Sequence, residues 1–191
     1  MSARGSTASR SAKEATAFLK QDHRAVEALF SQFEEARDGR TRASIMRRIA
    51  QALLVHTEIE EEIFYPAARQ EMGDHELLNE ALVEHESVKR LVAEIEGMRP
   101  SEQLYKAKVA VLQEYVKHHV REEERELFPL VKKTGLDLEA LGEELAERQQ
   151  QLMRGGAGRR GAARGAARGS VGRTTRGRGR RGGAETGAQM R

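Results

Sequence analysis

Apolar residues recur at three- and four-residue steps along most of the chain, which is the signature of amphipathic helices. The first stripe is Leu19, Val26, Phe30 and Phe33; Ser11-Ala12-Lys13-Glu14 reads as a capping box before it, and Arg37-Asp38-Gly39 ends it. A second helix is expected from about Thr41, with Ile45, Ile49, Leu53, Ile63/Phe64 and Ala67 inward and Gly73 as its stop. Asp74 is placed to cap a third, with Leu78, Leu82, Val88, Val92 and Ile95. After Pro100-Ser101 comes a fourth stripe, Leu104, Leu112, Val116, Leu127 and Leu130, ending at Gly135. Asp137 opens a short fifth helix to about Met153, with Leu138, Leu141, Leu145 and Leu152.

Four amphipathic helices of similar length joined by short loops predict an all-α fold, an antiparallel four-helix bundle over residues 12–135. An accessory helix is expected over 136–153, between a disordered arm at 1–11 and a disordered Gly/Arg-rich tail at 154–191.

Composition narrows the chemistry. The 191 residues contain no Cys and no Trp, which excludes a disulfide scaffold, a thiol nucleophile and Cys-ligated metal sites. No run nears the ~20 apolar residues of a membrane span, and Met1 to Ala12 has no apolar leader segment, so a cytoplasmic protein is expected. The net charge of +3 hides a division: the tail from Arg154 carries eleven Arg against one acid, or +10, which leaves −7 on the rest. A disordered polycation binds nucleic acid or another polyanion without sequence preference, and the tail lacks aromatic residues for base stacking.

The chain repeats itself. Asp22-His23 through Val26 aligns with Glu84-His85 through Val88, and His56-x-x-x-Glu60 through Pro66 aligns with His119-x-x-x-Glu123 through Pro129. The offsets are 62 and 63 residues, so two similar helical hairpins make up the body. Residues four apart share a helix face, so each His-x-x-x-Glu pair offers an imidazole and a carboxylate to one point.

His23, His56, Glu60, His85, His119 and Glu123 interrupt the apolar stripes on the inward face. A single histidine there is ordinarily a satisfied core residue, and glutamates in acidic runs are ordinarily solvated. The coincidence across both halves of the repeat changes that balance. Buried imidazoles and carboxylates in this number need a compensating charge, and two metal ions supply it. The donor set suits iron, with zinc and manganese as competitors. Two octahedral ions offer about twelve positions; four imidazoles, two bridging carboxylates and a solvent bridge fill about ten, which leaves room for O2, peroxide or NO. His75 is expected to cap or lie at the surface. His118 with Glu122 is a rival pair set about 100° off the stripe. Tyr65 and Tyr115 lie near the ligand-bearing helices, as packing residues or as hydrogen-bond donors to a bound molecule.

The motifs Asp22-His23, His56-x-x-x-Glu60 with Phe64-Tyr65-Pro66, Glu84-His85, and His119-x-x-x-Glu123 with Leu127-Phe128-Pro129 resemble the hemerythrin-like HHE cation-binding family over about Ala15 to Lys133. The resemblance implies a non-haem, oxo- or hydroxo-bridged di-iron centre with His23, His56, His85 and His119 as terminal ligands and Glu60 and Glu123 as bridges. Oxygen-carrying members have a further histidine one turn along the third helix and an aspartate closing the fourth-helix motif. Here Ala81 and Lys89 flank His85 by one turn and Glu123 closes the motif. The pattern is more similar to bacterial members tied to iron–sulfur repair, nitric oxide and peroxide responses, and iron sensing. The expected function is binding, sensing or detoxifying a small oxidant, with a catalase- or peroxidase-like activity as the enzymatic form. An iron-buffering module without turnover and a tail-driven nucleic-acid-associated protein are the alternatives.

Overall fold

The computed structural model describes residues 13–168, with side chains described through residue 155. The expected arm at 1–11 and the part of the tail beyond Arg168 lie outside the described residues. The chain divides into two units, residues 1–155 and 156–191, and the bundle and its site lie in the first.

Four helical rods form the bundle. They are α1 (Ala15–Glu35), α2 (Gly39–Ile59) continued by α3 (Tyr65–Met72), α4 (Glu76–Glu96), and α5 (Tyr105–Glu122) continued by α6 (Phe128–Val131). A single π-helical turn joins the parts of each composite rod, at Glu60–Phe64 and at Glu123–Leu127. A last helix, α7 (Leu138–Arg168), follows.

The caps differ from expectation in instructive ways. Glu14 itself caps α1, accepting from the amides of Thr16 and Ala17. Asp38 caps α2 by accepting from the Thr41 amide at 2.9 Å, which starts that helix at Gly39 rather than Thr41. His75 Nδ1 caps α4, since Asp74 is taken by Arg69 and Asn79. Gly73 ends α3 with φ of +73°, a conformation L side chains resist.

The buried row of α4 is Leu78, Ala81, His85, Val88, Val92 and Ile95. Its steps of three and four displace Leu82 to the exposed flank. In α5 the row is Tyr105, Val109, Leu112, Val116 and His119, and Leu104 is exposed just before it. The π-turns cause a further slip. Downstream of Glu60 the buried residues are Phe64, Tyr65 and Ala68, with Ala67 only half-buried; downstream of Glu123 they are Leu127, Phe128 and Val131, with Leu130 half-buried. Each π-turn inserts one extra residue and moves the inward row by one.

Two apolar clusters fill the bundle. One runs from Val26, Phe30 and Phe33 to Ile49, Val92 and Leu112. The other gathers Leu19, Ile59, Phe64, Leu78 and Phe128 with Leu141 and Leu145 of α7. Buried polar residues sit on the same rods: Thr16, His23, His56, Thr57, Glu60, His85, His119 and Glu123. Among the described residues no helix is long and apolar enough to cross a membrane.

Candidate metal centre

All four inward histidines and both glutamates are buried and converge. His23 Nε2 lies 3.2 Å from His56 Nε2, and His85 Nε2 lies 3.2 Å from His119 Nε2. Glu60 Oε2 stands 3.2 Å from His56 Nε2 in its own half and 3.4 Å from His85 Nε2 in the other. Glu123 Oε2 stands 3.5 Å from His119 Nε2 and 3.2 Å from His23 Nε2. Each carboxylate therefore touches one imidazole of each half. His23, His56, Glu60 and Glu123 form one group able to hold an ion, and Glu60, His85 and His119 form a second that shares Glu60.

The outer faces of the rings fix their tautomers. His23 Nδ1 donates to Glu124 at 2.9 Å, His85 Nδ1 to Glu61 at 2.8 Å and His119 Nδ1 to Glu84 at 2.9 Å. A neutral imidazole that donates from Nδ1 presents a lone pair at Nε2. The centre then holds nitrogen and carboxylate lone pairs facing one another, with no proton to join most of them. Glu60 Oε1 and Oε2, Glu123 Oε2 and His56 Nδ1 have no hydrogen-bond partner among the described residues. Orphaned buried carboxylate oxygens are costly, and a cation satisfies those of Glu60 and Glu123 together. The spacing fits: two ligand atoms each about 2.1 Å from one ion and roughly at right angles lie about 3 Å apart.

Burial, and then the charge of Glu123, pushes the Glu60 carboxyl up to about 8. Burial also acts upward on Glu123, but the neighbouring imidazoles of His119, His23 and His56 outweigh it and hold Glu123 below the ordinary carboxylate range. For His119, burial acts downward and is outweighed by Glu123 and Glu84, so the ring is raised. The two halves share one acidic, desolvated pocket whose charge a cation would balance.

The π-turns place the carboxylates. The amide of Tyr65 bonds the Glu60 carbonyl and that of Phe128 bonds the Glu123 carbonyl, five residues back in each case. Their sequence cause is Pro66 and Pro129, which supply no amide proton and crowd the preceding turn. The extra residue swings Tyr65 into the site, where its hydroxyl donates to Glu123 Oε1 at 3.0 Å and lies 3.2 Å from His85 Nε2. Tyr65 is buried in the centre and donates to a protein carboxylate; Tyr115 is exposed at the surface. His118 is also at the surface, paired with Glu122 at 3.2 Å and Glu84 at 3.4 Å, and does not join the core group.

Sequence reasoning left four acids near the histidines without a role, Glu61, Glu84, Glu124 and Asp22, of which the first three hold an imidazole. Glu61 and Glu124 follow Glu60 and Glu123 and passed as part of solvated acidic runs; each crosses to the other half to hold a histidine. Asp22 and Glu84 precede His23 and His85. The repeat alignment carried the signal, since both pairs occupy equivalent positions.

The family model for the hemerythrin HHE cation binding domain matches residues 14–131. The chain belongs to this family. A solved hemerythrin HHE cation binding domain-containing protein from Mycobacterium kansasii is similar to the HHE chain at 28% identity with a TM-score of 0.65, covering 84% of this chain and 95% of that one. A protein of Nostoc sp. (strain PCC 7120) named DNA nickase is 32% identical over 114 residues, which is 60% of the HHE chain. The chain spans about a third of that relative's length, 32%.

Proposed function

We propose that this HHE domain holds two iron ions between its helical hairpins and uses them to bind, sense or turn over a small oxidant, O2, peroxide or NO. The observation that carries this reading is the set of lone pairs from four imidazoles and two carboxylates facing inward, with the outer faces of His23, His85 and His119 already hydrogen-bonded. Imidazole with carboxylate suits iron, and zinc and manganese are the competitors that metal analysis separates.

Size and polarity support the ligand class. A cavity of about 20 Å³ opens beside the imidazoles, walled by Val26, Leu53, Val88 and Val116. That is the room of roughly one water molecule, so a diatomic or a peroxide fits and a larger substrate does not. The valine and leucine walls give the cavity an apolar lining.

Iron bound here would supply electron transfer and open coordination positions. The chain's own residues do the rest. His23, His56, His85 and His119 present Nε2, while Glu60 and Glu123 span the halves. Glu61, Glu84 and Glu124 hold their imidazoles in one tautomer and make them more basic. Tyr65 keeps a proton at its hydroxyl beside Glu123.

The test is metal analysis of the purified chain with an optical spectrum, followed by peroxide, O2 and NO. Two irons per chain, charge-transfer absorbance, and peroxide loss or a spectral response support the reading. Iron binding without any response favours a buffering module, and a chain that takes up no iron overturns the reading.

A further inference from the structure

Three of the four inward imidazoles rest on a carboxylate, and His56 does not. Its nearest acid is Asp22, with Oδ2 3.8 Å from Nδ1, beyond hydrogen-bond reach. Among the described residues His56 Nδ1 is without a hydrogen-bond partner, unlike the Nδ1 atoms of His23, His85 and His119.

The internal repeat provides the comparison. Glu84 occupies the place of Asp22 in the other half, and it reaches His119 Nδ1 at 2.9 Å. Two things differ at Asp22. Its side chain is one methylene shorter. The oxygen that faces His56 also accepts a hydrogen bond from Gln149 Nε2 of α7. That amide is carried by a docked helix. Leu145 is fully buried, and the Arg148 guanidinium is clamped on both oxygens of Glu62 at 2.6 and 2.9 Å. The corresponding oxygen pair of Glu84 meets His119 and His118 of its own hairpin instead.

The geometry points to Gln149 as a positioning residue: it draws Asp22 away from His56 and leaves His56 the least-supported imidazole of the centre. This rests on the reading of His56 as a ligand. The support is unequal across the centre. His85 and His119 both have a carboxylate behind them, whereas on the other side His23 has one and His56 has none. Loss of such a carboxylate commonly weakens a metal site 10- to 100-fold. The ion beside His56 is therefore the one that leaves first, and α7 sets that difference.

Two variants test this in the full chain. Gln149→Leu frees Asp22, and Asp22→Glu restores the reach that Glu84 has. In metal-free protein, ¹⁵N NMR of the His56 ring should move Nδ1 toward the hydrogen-bonded position that His119 shows. In iron-loaded protein, wild type should lose one ion to a chelator faster than the other. Both variants should slow that fast phase ~10-fold, and Gln149→Leu with Asp22→Asn should restore it. Thermal unfolding reports whether α7 stays docked; if Gln149→Leu releases it, Asp22→Glu decides. An unchanged His56 signal together with an unchanged fast phase overturns the inference. A wild-type chain that takes up no metal sinks the ligand reading instead, and the NMR arm still judges the Gln149 contact.

Discussion

Tyr65 donates a hydrogen bond to Glu123 Oε1 at 3.0 Å across the two halves of the repeat. Burial first, and then the charges of Glu123 and Glu60, push its phenol well above the ordinary tyrosine range, so it stays protonated and remains a donor. Tyr65→Phe removes that donor and leaves a buried carboxylate oxygen without it. The metal-free protein should lose about 1–3 kcal/mol in denaturant unfolding, and the loaded protein should keep its metal with an altered optical spectrum. Unchanged stability would show the contact to be incidental.

His119 and His118 are neighbours in sequence with opposite surroundings. His119→Ala should lose half or more of the bound metal, while His118→Ala should keep the wild-type ratio of metal to protein. Metal analysis after iron loading reads both. A reversed result would move the site to the surface pair His118 and Glu122.

Gly142 lies where α7 crosses the start of α1. A Cβ there would run into the Lys13 carbonyl oxygen and sit 3.0 Å from the Ala15 amide nitrogen. Backbone cannot swing aside as a side chain can. Gly142→Ala should therefore displace α7, cost about 1–3 kcal/mol and expose residues 136–155 to protease. Gly155→Ala, with nothing near its Cβ, should leave the melting temperature level or slightly raised. Equal behaviour of the two would mean α7 is not packed tightly at Gly142.

Glu14 carries a pH-dependent part of the stability. Partial burial acts upward on its carboxyl, but hydrogen bonds from Thr16 and the Lys132 ammonium at 3.0 Å outweigh it, and its pKa falls below the ordinary value. A depressed carboxylate stabilises the fold above its unfolded pKa and loses that contribution as pH falls through the folded value. Glu14→Ala should cost about 1 kcal/mol near pH 7, and the gap to wild type should close as pH falls from the ordinary carboxylate value through the depressed folded one. A gap constant with pH would assign the effect to packing rather than to the charged cap.

How much was legible follows from which interactions are periodic. The stripes Leu19 to Phe33 and Ile45 to Leu53 gave helices because helical burial repeats every three or four residues, and the buried rows bear this out. Leu130 and Ala67 were expected inward and are only half-buried. Periodicity assumes a constant turn, and Pro66 and Pro129 each widen one. The inward direction of His23, His56, Glu60, His85, His119 and Glu123 was readable because each breaks an apolar stripe in both halves. Glu61 and Glu124 were not, because a carboxylate in a run of carboxylates has no distinguishing pattern until a histidine from another helix reaches it.

By itself the sequence determined the helices, the twofold repeat and the six side chains that turn inward, since all three depend on spacing along one rod. Tertiary structure alone decided which carboxylate stands behind which imidazole. Those contacts join residues from different rods, Glu61 to His85 and Glu124 to His23. It also decided that Asp22 Oδ2 accepts a hydrogen bond from Gln149 of α7 while standing 3.8 Å from His56 Nδ1, a pairing that no local pattern encodes.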